Sequence, residues 1–161
     1  MTVSSSRPSV VSTMLNPALL AAVIAASADG HQKESGDGVP WILSFVVAPM
    51  VLHRGTRAAL PTTTRTHLAT WVSRNPVLRA NLPQRALGLV EPVRAGMRFG
   101  ITHGILRVDG DRVVAIPRRR PRGFQMPTEL DEILRKANLM GRWLSKTNSP
   151  ATVLAVLGMA P

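Results

Sequence analysis

Cysteine and tyrosine are absent from this chain of 161 residues, and aromatic residues make up only 4% of it. Without cysteine the chain can form no disulfide bond, no thiolate metal site and no cysteine nucleophile. The lack of disulfides suits a reducing compartment, so we expect a cytoplasmic location. Few aromatic rings also leave few surfaces on which the bases of single-stranded nucleic acid could stack.

Acidic residues are scarce as well. The chain has 9 Asp and Glu against 20 Lys and Arg, a formal net charge of +11 at pH 7, and 17 of the basic residues are arginine. Between Val39 and Val108 the one acid is Glu91, whereas nine arginines fall there: Arg54, Arg57, Arg65, Arg74, Arg79, Arg85, Arg94, Arg98 and Arg107. This excess predicts an acidic partner, which leaves nucleic acid, an anionic membrane and an acidic protein open.

Uninterrupted apolar runs are shorter than the roughly 20 residues that a membrane-spanning helix needs. The run Ala18–Ala28 follows Arg7 and ends in Ala-Ser-Ala, which imitates a secretory signal and its cleavage site. The alternative is a buried helix, about Pro17–Ala28, capped by Asn16 and followed by Gly30. We favour the helix, and we expect the second run, Val39–Leu52, to be core and the protein not to enter a membrane.

Motifs of catalysis and metal binding are also missing. The sequence contains no HExxH, GxSxG or phosphate-loop pattern and no paired carboxylates in an apolar setting, so we predict no catalytic residue, no metal site and no cofactor. A hydrolase or transferase remains a weaker alternative, which would need a deep polar pocket around His53, His67 or His103. Gly96, Gly100 and Gly104 share a helical face, which predicts close packing of another element rather than a ligand site.

The apolar content, 45% of the chain, is enough for one domain with a real core. We expect a flexible Ser/Thr-rich tail at residues 1–13 and a single compact domain over residues 14–161. The other predicted elements are an apolar segment Trp41–Leu60 interrupted by Pro49, a short helix Thr64–Ser73 begun by threonine caps, segments Gln84–Val90 and Val93–His103 divided by Pro83 and Pro92, a helix capped by Thr128, and a last helix from Ser149 to Gly158.

A β-hairpin is the clearest local pattern. Two β-prone segments, Ile105–Val108 and Arg112–Ile116, flank Asp109-Gly110, the composition of a type I′ turn. Helices followed by a two-stranded hairpin are typical of a winged helix. We therefore predict a mostly α fold with a small β-hairpin (α+β), with a winged-helix-like core and additional N- and C-terminal helices.

An arginine cluster follows the hairpin. Pro117 and Pro121 should hold this stretch extended, so that its guanidinium groups meet phosphates beside the wing. The predicted nucleic-acid-binding residues are Arg107, Arg112, Arg118, Arg119, Arg120 and Arg122. If about four to six of them met phosphates, log affinity should fall with log salt at a slope of about −4 to −5. The alternative is a solvated charge run that keeps the protein soluble or docks an acidic protein, and no helix carries the cluster of Asn, Gln and Arg expected of a base-reading helix.

Several stretches taken together resemble the middle component of three-component ABC-ATPase systems, a bacterial family found among anti-phage and genetic-conflict loci. The stretches are Asn16–Leu19, Leu43–Phe45, Ala48–His53, Leu60–Pro61, Thr64–Trp71, Asn75–Pro76, Phe99–Gly104, Gly141–Lys146 and Val153–Pro161.

The resemblance implies a non-catalytic adaptor between two partners, an ATPase of the DNA-repair type similar to structural-maintenance-of-chromosomes proteins and a third, variable effector component. Direct contact with DNA and a homodimer stay open. The alternative function is a free-standing winged-helix DNA-binding regulator, which strict dependence on one DNA sequence would favour.

Overall fold

The computed structural model describes residues 16–147 and 149–159, and the tail expected at residues 1–13 lies outside them. The helices are α1 (Pro17–Ser35), α2 (Ser44–Leu52), α3 (Arg54–Ala59), α4 (Leu68–Arg74), α5 (Pro76–Gly88), α6 (Val90–Thr102), α7 (Thr128–Leu144) and α8 (Pro150–Val156). The strands are β1 (Val39–Pro40), β2 (Leu106–Asp109) and β3 (Arg112–Ala115), and a 3-10 turn, Trp41–Leu43, joins β1 to α2. Helices with a small sheet confirm the predicted α+β class.

Helix α1 lies at the centre of the fold. Asn16 caps it through a hydrogen bond that its side-chain oxygen accepts from the amide of Ala18, at 2.9 Å, and Pro17 takes the first helical position. The predicted end at Ala28 is wrong, because the helix continues to Ser35 and stops at Gly36, where φ is +83°. Within the described residues every helix is too short or too polar to cross a bilayer.

Glycines let the neighbouring helices approach α1 closely. Gly30 lies inside α1, and a Cβ there would lie 2.9 Å from the carbonyl carbon of Asn138 on α7, so the close packing requires a glycine. On α6, Gly96 faces Leu20 and Ala21 of α1, and Gly100 faces Leu106 of β2 and Ala21, which confirms the predicted packing role for these two. Gly104 departs from that prediction, since it follows the helix and has φ of +65°.

The sheet has three antiparallel strands in the order β1-β3-β2. Val39 pairs with Val113, and Leu106 pairs with Ala115. The hairpin is confirmed, but positive φ occurs at Gly110 alone and not at Asp111, which matches a type II′ turn rather than the predicted type I′. The prediction missed β1 because it is two residues long and one of them is proline.

Prolines end fewer helices than the sequence predicted. Pro49 lies inside α2 and Pro83 inside α5, and Pro92 falls in the first turn of α6, where its missing amide costs no helical hydrogen bond. The guanidinium of Arg85 donates to the carbonyl oxygens of Leu78 and Asn81, in the stretch that precedes Pro83. Proline inside a helix leaves the carbonyl of the residue four positions earlier without its amide partner, which for Pro83 is the carbonyl of Arg79 and not one that Arg85 contacts.

Two predicted helix starts are also displaced. The short helix begins at Leu68, with His67 at its N-cap, and not at the threonines. Thr128 is the first helical residue of α7 rather than its cap, and Pro127 occupies the cap position without a side-chain bond. In both cases the residue directly before the helix has an extended backbone, and no hydroxyl side chain caps the helix.

Candidate nucleic-acid interface

The outer face of the sheet carries two of the six predicted arginines. Residues directly opposite each other in an antiparallel pair share a face, and Asp109 is opposite Arg112. Arg107, two residues before Asp109, lies on that same face, whereas Leu106 and Val113 point inward and are buried. The period of two along the strands therefore separates the arginines from the core.

Three of the six arginines are engaged within the protein. Arg112 donates to the carbonyl oxygen of Gly38 at 2.8 Å, across the junction between α1 and β1. Arg107 lies 3.6 Å from a carboxylate oxygen of Asp109. Arg118 donates to the carbonyl oxygen of His103, at the end of α6. The two hydrogen bonds hold Arg112 and Arg118, and the exposed ion pair of Arg107 with Asp109 competes with phosphate for a third guanidinium.

The base of the arginine loop is well anchored, and we define this loop as residues 117–122. The imidazole of His103 stacks on Phe99 with 3.9 Å between ring centroids, and the amide of Ile116 bonds to the carbonyl of Ile105 at 2.9 Å. With the bond from Arg118, these contacts hold the start of the loop against the end of α6. The sequence offered no sign that His103 has this role, because the bond uses its backbone carbonyl.

Arg119, Arg120 and Arg122 differ from the other three. All are exposed and lie in a stretch without helix or strand, and none forms an ion pair with a residue in the described ranges. The six arginines thus divide into three that have partners within the protein and three that form no ion pair in the described ranges.

Two comparisons with known proteins return nothing: neither a curated protein nor a solved structure matches the chain. A family model does match it, over residues 4–161, and its description is ABC-three component (ABC-3C) system Middle Component 3. The chain belongs to the Middle Component 3 family. This confirms the resemblance seen in the sequence, and the family name implies partnership with the other components of such a system.

His53 of this Middle Component 3 chain has a structural role. His53 caps α3, since its Nδ1 accepts a hydrogen bond from the amide of Thr56 at 3.1 Å. Burial, followed by the charges of Arg85 and Arg57, lowers the pKa of His53. No group of three or more potential metal ligands occurs among residues 16–147 and 149–159. His53 is thus a helix cap in a cationic surrounding.

Arg57 is the charged residue that sequence reasoning missed. Its side chain is 2% exposed, and it donates to the carbonyl of Val51 at 2.7 Å and to Glu129 at 3.2 Å, with Glu132 3.6 Å from its Nε. Glu129 and Glu132 lie in the first two turns of α7. In the Middle Component 3 fold they also neutralise a buried guanidinium on α3, which a buried charge requires.

Proposed function

We propose that this chain is the non-catalytic adaptor of a cytoplasmic ABC-three component defence system, where it links the ATPase to the third, effector component. The observation that carries the proposal is the family match, which extends over residues 4–161.

We further infer that the arginine loop contacts the phosphates of DNA. Exposed guanidinium groups without an internal partner can bind phosphate oxygens and release counterions. Within residues 16–147 and 149–159, Arg119, Arg120 and Arg122 meet this description, whereas Arg107, Arg112 and Arg118 have internal partners. The expected slope of log affinity against log salt is therefore about −3, shallower than the slope of about −4 to −5 expected if four to six arginines met phosphates.

The topology supports a winged-helix arrangement for this contact. One helix precedes β1, further helices follow, and the β2–β3 hairpin returns to pair with β1. In this arrangement the hairpin is the wing and the arginine loop extends from its base. Contact through the loop would then read the phosphate backbone rather than base edges.

The DNA contact is tested by measuring the affinity of the purified chain for a short duplex over a salt series. The triple variant Arg119→Ser, Arg120→Ser and Arg122→Ser should lose most of the affinity and most of the salt slope. The matched control is Arg65→Ser, Arg74→Ser and Arg98→Ser, since it removes the same charge from three exposed arginines outside the loop. Equal losses in both triples would mean that net charge alone attracts the duplex. Strict dependence on one DNA sequence would favour the free-standing regulator.

The adaptor role is tested by expressing the chain with the ATPase and the third component of its own system. After nuclease treatment, pull-down of either tagged component should recover the chain, and removal of the chain should separate the other two. In host cells, deletion of the chain should abolish the protection against phage that the whole system provides. Loss of protection without loss of assembly would point to a catalytic contribution instead.

A further inference from the structure

An apolar groove with a volume of about 470 Å³ lies between the 3-10 turn, α2, α5, α6 and α8. Side chains from all of these elements line it, among them Trp41, Phe45, Leu87, Val90 and Leu154. Two of them are unusually open to solvent, since Trp41 is 46% exposed and Leu87 is 71% exposed. Large apolar side chains that stay in water next to a groove are typical of a surface that binds another molecule.

The walls of this groove are positioned before any partner arrives. Trp41 packs edge-on against Phe45, with 5.9 Å between ring centroids and an angle of 84° between ring planes. The amide of Trp41 donates to the carbonyl of Asp111 at 3.0 Å, which fixes the 3-10 turn to the hairpin. A rigid aromatic wall loses little conformational entropy on binding, so it is suited to anchor a partner.

The chemistry of the lining favours a protein segment over a small molecule. Small-molecule sites are also mostly apolar, but they add a few precisely placed polar groups that orient the ligand. Among the described residues that line this groove, Arg94 is the one charged side chain, and it already bonds to Glu91 at 2.7 Å. An open apolar trough of this kind is what the apolar face of an amphipathic helix occupies.

The surrounding charge indicates which kind of helix fits. The helices and the 3-10 turn that form the groove carry four arginines, Arg79, Arg85, Arg94 and Arg98, against a single acid, Glu91. The guanidinium of Arg79 reaches the groove edge, where its Nη2 would lie 2.9 Å from a Cβ placed on Gly158. A second copy of this chain would bring like charges together, whereas an acidic segment would be attracted.

We propose that this groove binds an amphipathic helix of another component of the ABC-three component system, one with large apolar residues along one face and Asp or Glu at its edges. This inference rests on the proposed adaptor function and gives it a location. None of the six arginines predicted to bind DNA lines the groove, so partner binding and DNA binding use different residues and can be lost separately.

The test uses two substitutions on one helix. Leu87 and Val77 both lie on α5 and are both 71% exposed, but only Leu87 lines the groove. The full chain is co-expressed with the ATPase and the third component, and affinity for whichever component binds is then measured with purified proteins. Leu87→Asp should weaken that affinity at least tenfold, and Val77→Asp should leave it unchanged.

A second pair of variants tests the charge argument. Arg94→Glu should weaken binding further than Arg74→Glu, because Arg94 lines the groove while Arg74 is exposed on α4 outside it. The difference between the two should shrink as salt is raised, since salt screens exposed charges. Equal effects of the two reversals would overturn the acidic partner.

Each remaining outcome has a distinct meaning. If the wild-type chain binds neither component, the adaptor function fails and the groove inference falls with it. If the wild-type chain binds and Leu87→Asp binds equally well, the adaptor function stands but the groove is not the contact surface. If light scattering shows a dimer that Leu87→Asp dissociates, the occupant is a second copy of the chain and the inference is wrong.

Discussion

Helices α1 and α7 pack most closely at glycine, and replacing Gly141 with alanine tests how far that contact stabilises the fold. A Cβ at Gly141 would lie 2.7 Å from the carbonyl carbon of Ser27 and 2.9 Å from the amide nitrogen of His31. Both obstacles are backbone atoms of α1, so no side-chain rotation can relieve the clash. The two helices would have to move apart along a face where Gly30 also relies on close approach.

The expected magnitude combines two opposing effects. Forcing an extra methyl group into a packed interior costs about 1–3 kcal/mol, and the rigid backbone obstacle places this site near the upper end. Alanine is also the better helix former, by about 0.5–1 kcal/mol. We therefore expect Gly141→Ala to lower the free energy of unfolding by about 2 kcal/mol, which for a domain of this size lowers Tm by about 4–8 °C.

Gly88 provides the control for this experiment. It lies in the last turn of α5, and a Cβ there would meet nothing within 4 Å. Gly88→Ala should therefore leave the free energy of unfolding unchanged or raise it by up to about 1 kcal/mol. Urea titration followed by circular dichroism measures both variants. A Gly141→Ala protein as stable as Gly88→Ala would refute the close packing of α1 on α7.

Two further predictions concern buried charge. Glu129→Ala removes a carboxylate from buried Arg57 and should lower the free energy of unfolding by about 1–2 kcal/mol, a loss moderated by the exposure of Glu129. Asp131 shares the first turn of α7, and its one ion pair in the described part of the chain is with exposed Arg135. Asp131→Ala should therefore cost about 0.5 kcal/mol or less in the same urea assay. Burial lowers the pKa of His31 below 6.5 despite the bond of its Nδ1 to the carbonyl of Asp37 at 2.9 Å. The imidazole of His31 therefore binds a proton more readily in the unfolded chain than in the folded one. The free energy of unfolding carries no penalty from this residue above pH 6.5, and it declines as pH falls below 6.5. Urea midpoints at about pH 7.5 and 5.5 should differ more for the wild type than for His31→Gln, and equal differences would contradict this pKa assignment.

Local patterns in the sequence predicted the elements whose signals are local. Asn16-Pro17 marked the start of α1, and Asp109-Gly110 marked the hairpin, because caps and turns depend on the conformations that a few adjacent residues can adopt. In α7 the apolar residues follow helical spacing, and Ile133, Ala137 and Met140 lie on its buried face. The predicted end of α1 was wrong because a glycine near the end of an apolar run usually indicates a helix C-terminus. Gly30 instead lies inside the helix, where α7 packs against it.

The arginine loop could be predicted from the run of arginines in the sequence. The sequence could not show which guanidinium groups bond to other parts of the protein. Arg112 is bonded to Gly38, 74 residues away along the chain, and Arg118 to a carbonyl 15 residues before it. Such partners are brought together only by the fold. The groove was hidden for the same reason, because Trp41, Leu87 and Leu154 come from separate helices and turns that carry no common motif.

The sequence alone determined the helical class with its hairpin, the large positive charge and the membership of the Middle Component 3 family, because propensity, charge and ordered family motifs belong to the chain itself. Tertiary structure alone decided that Arg57 is buried against Glu129, that three of six arginines are engaged, and that apolar side chains form an open groove. Each of these depends on distances between residues far apart in the chain, and only packing sets those distances.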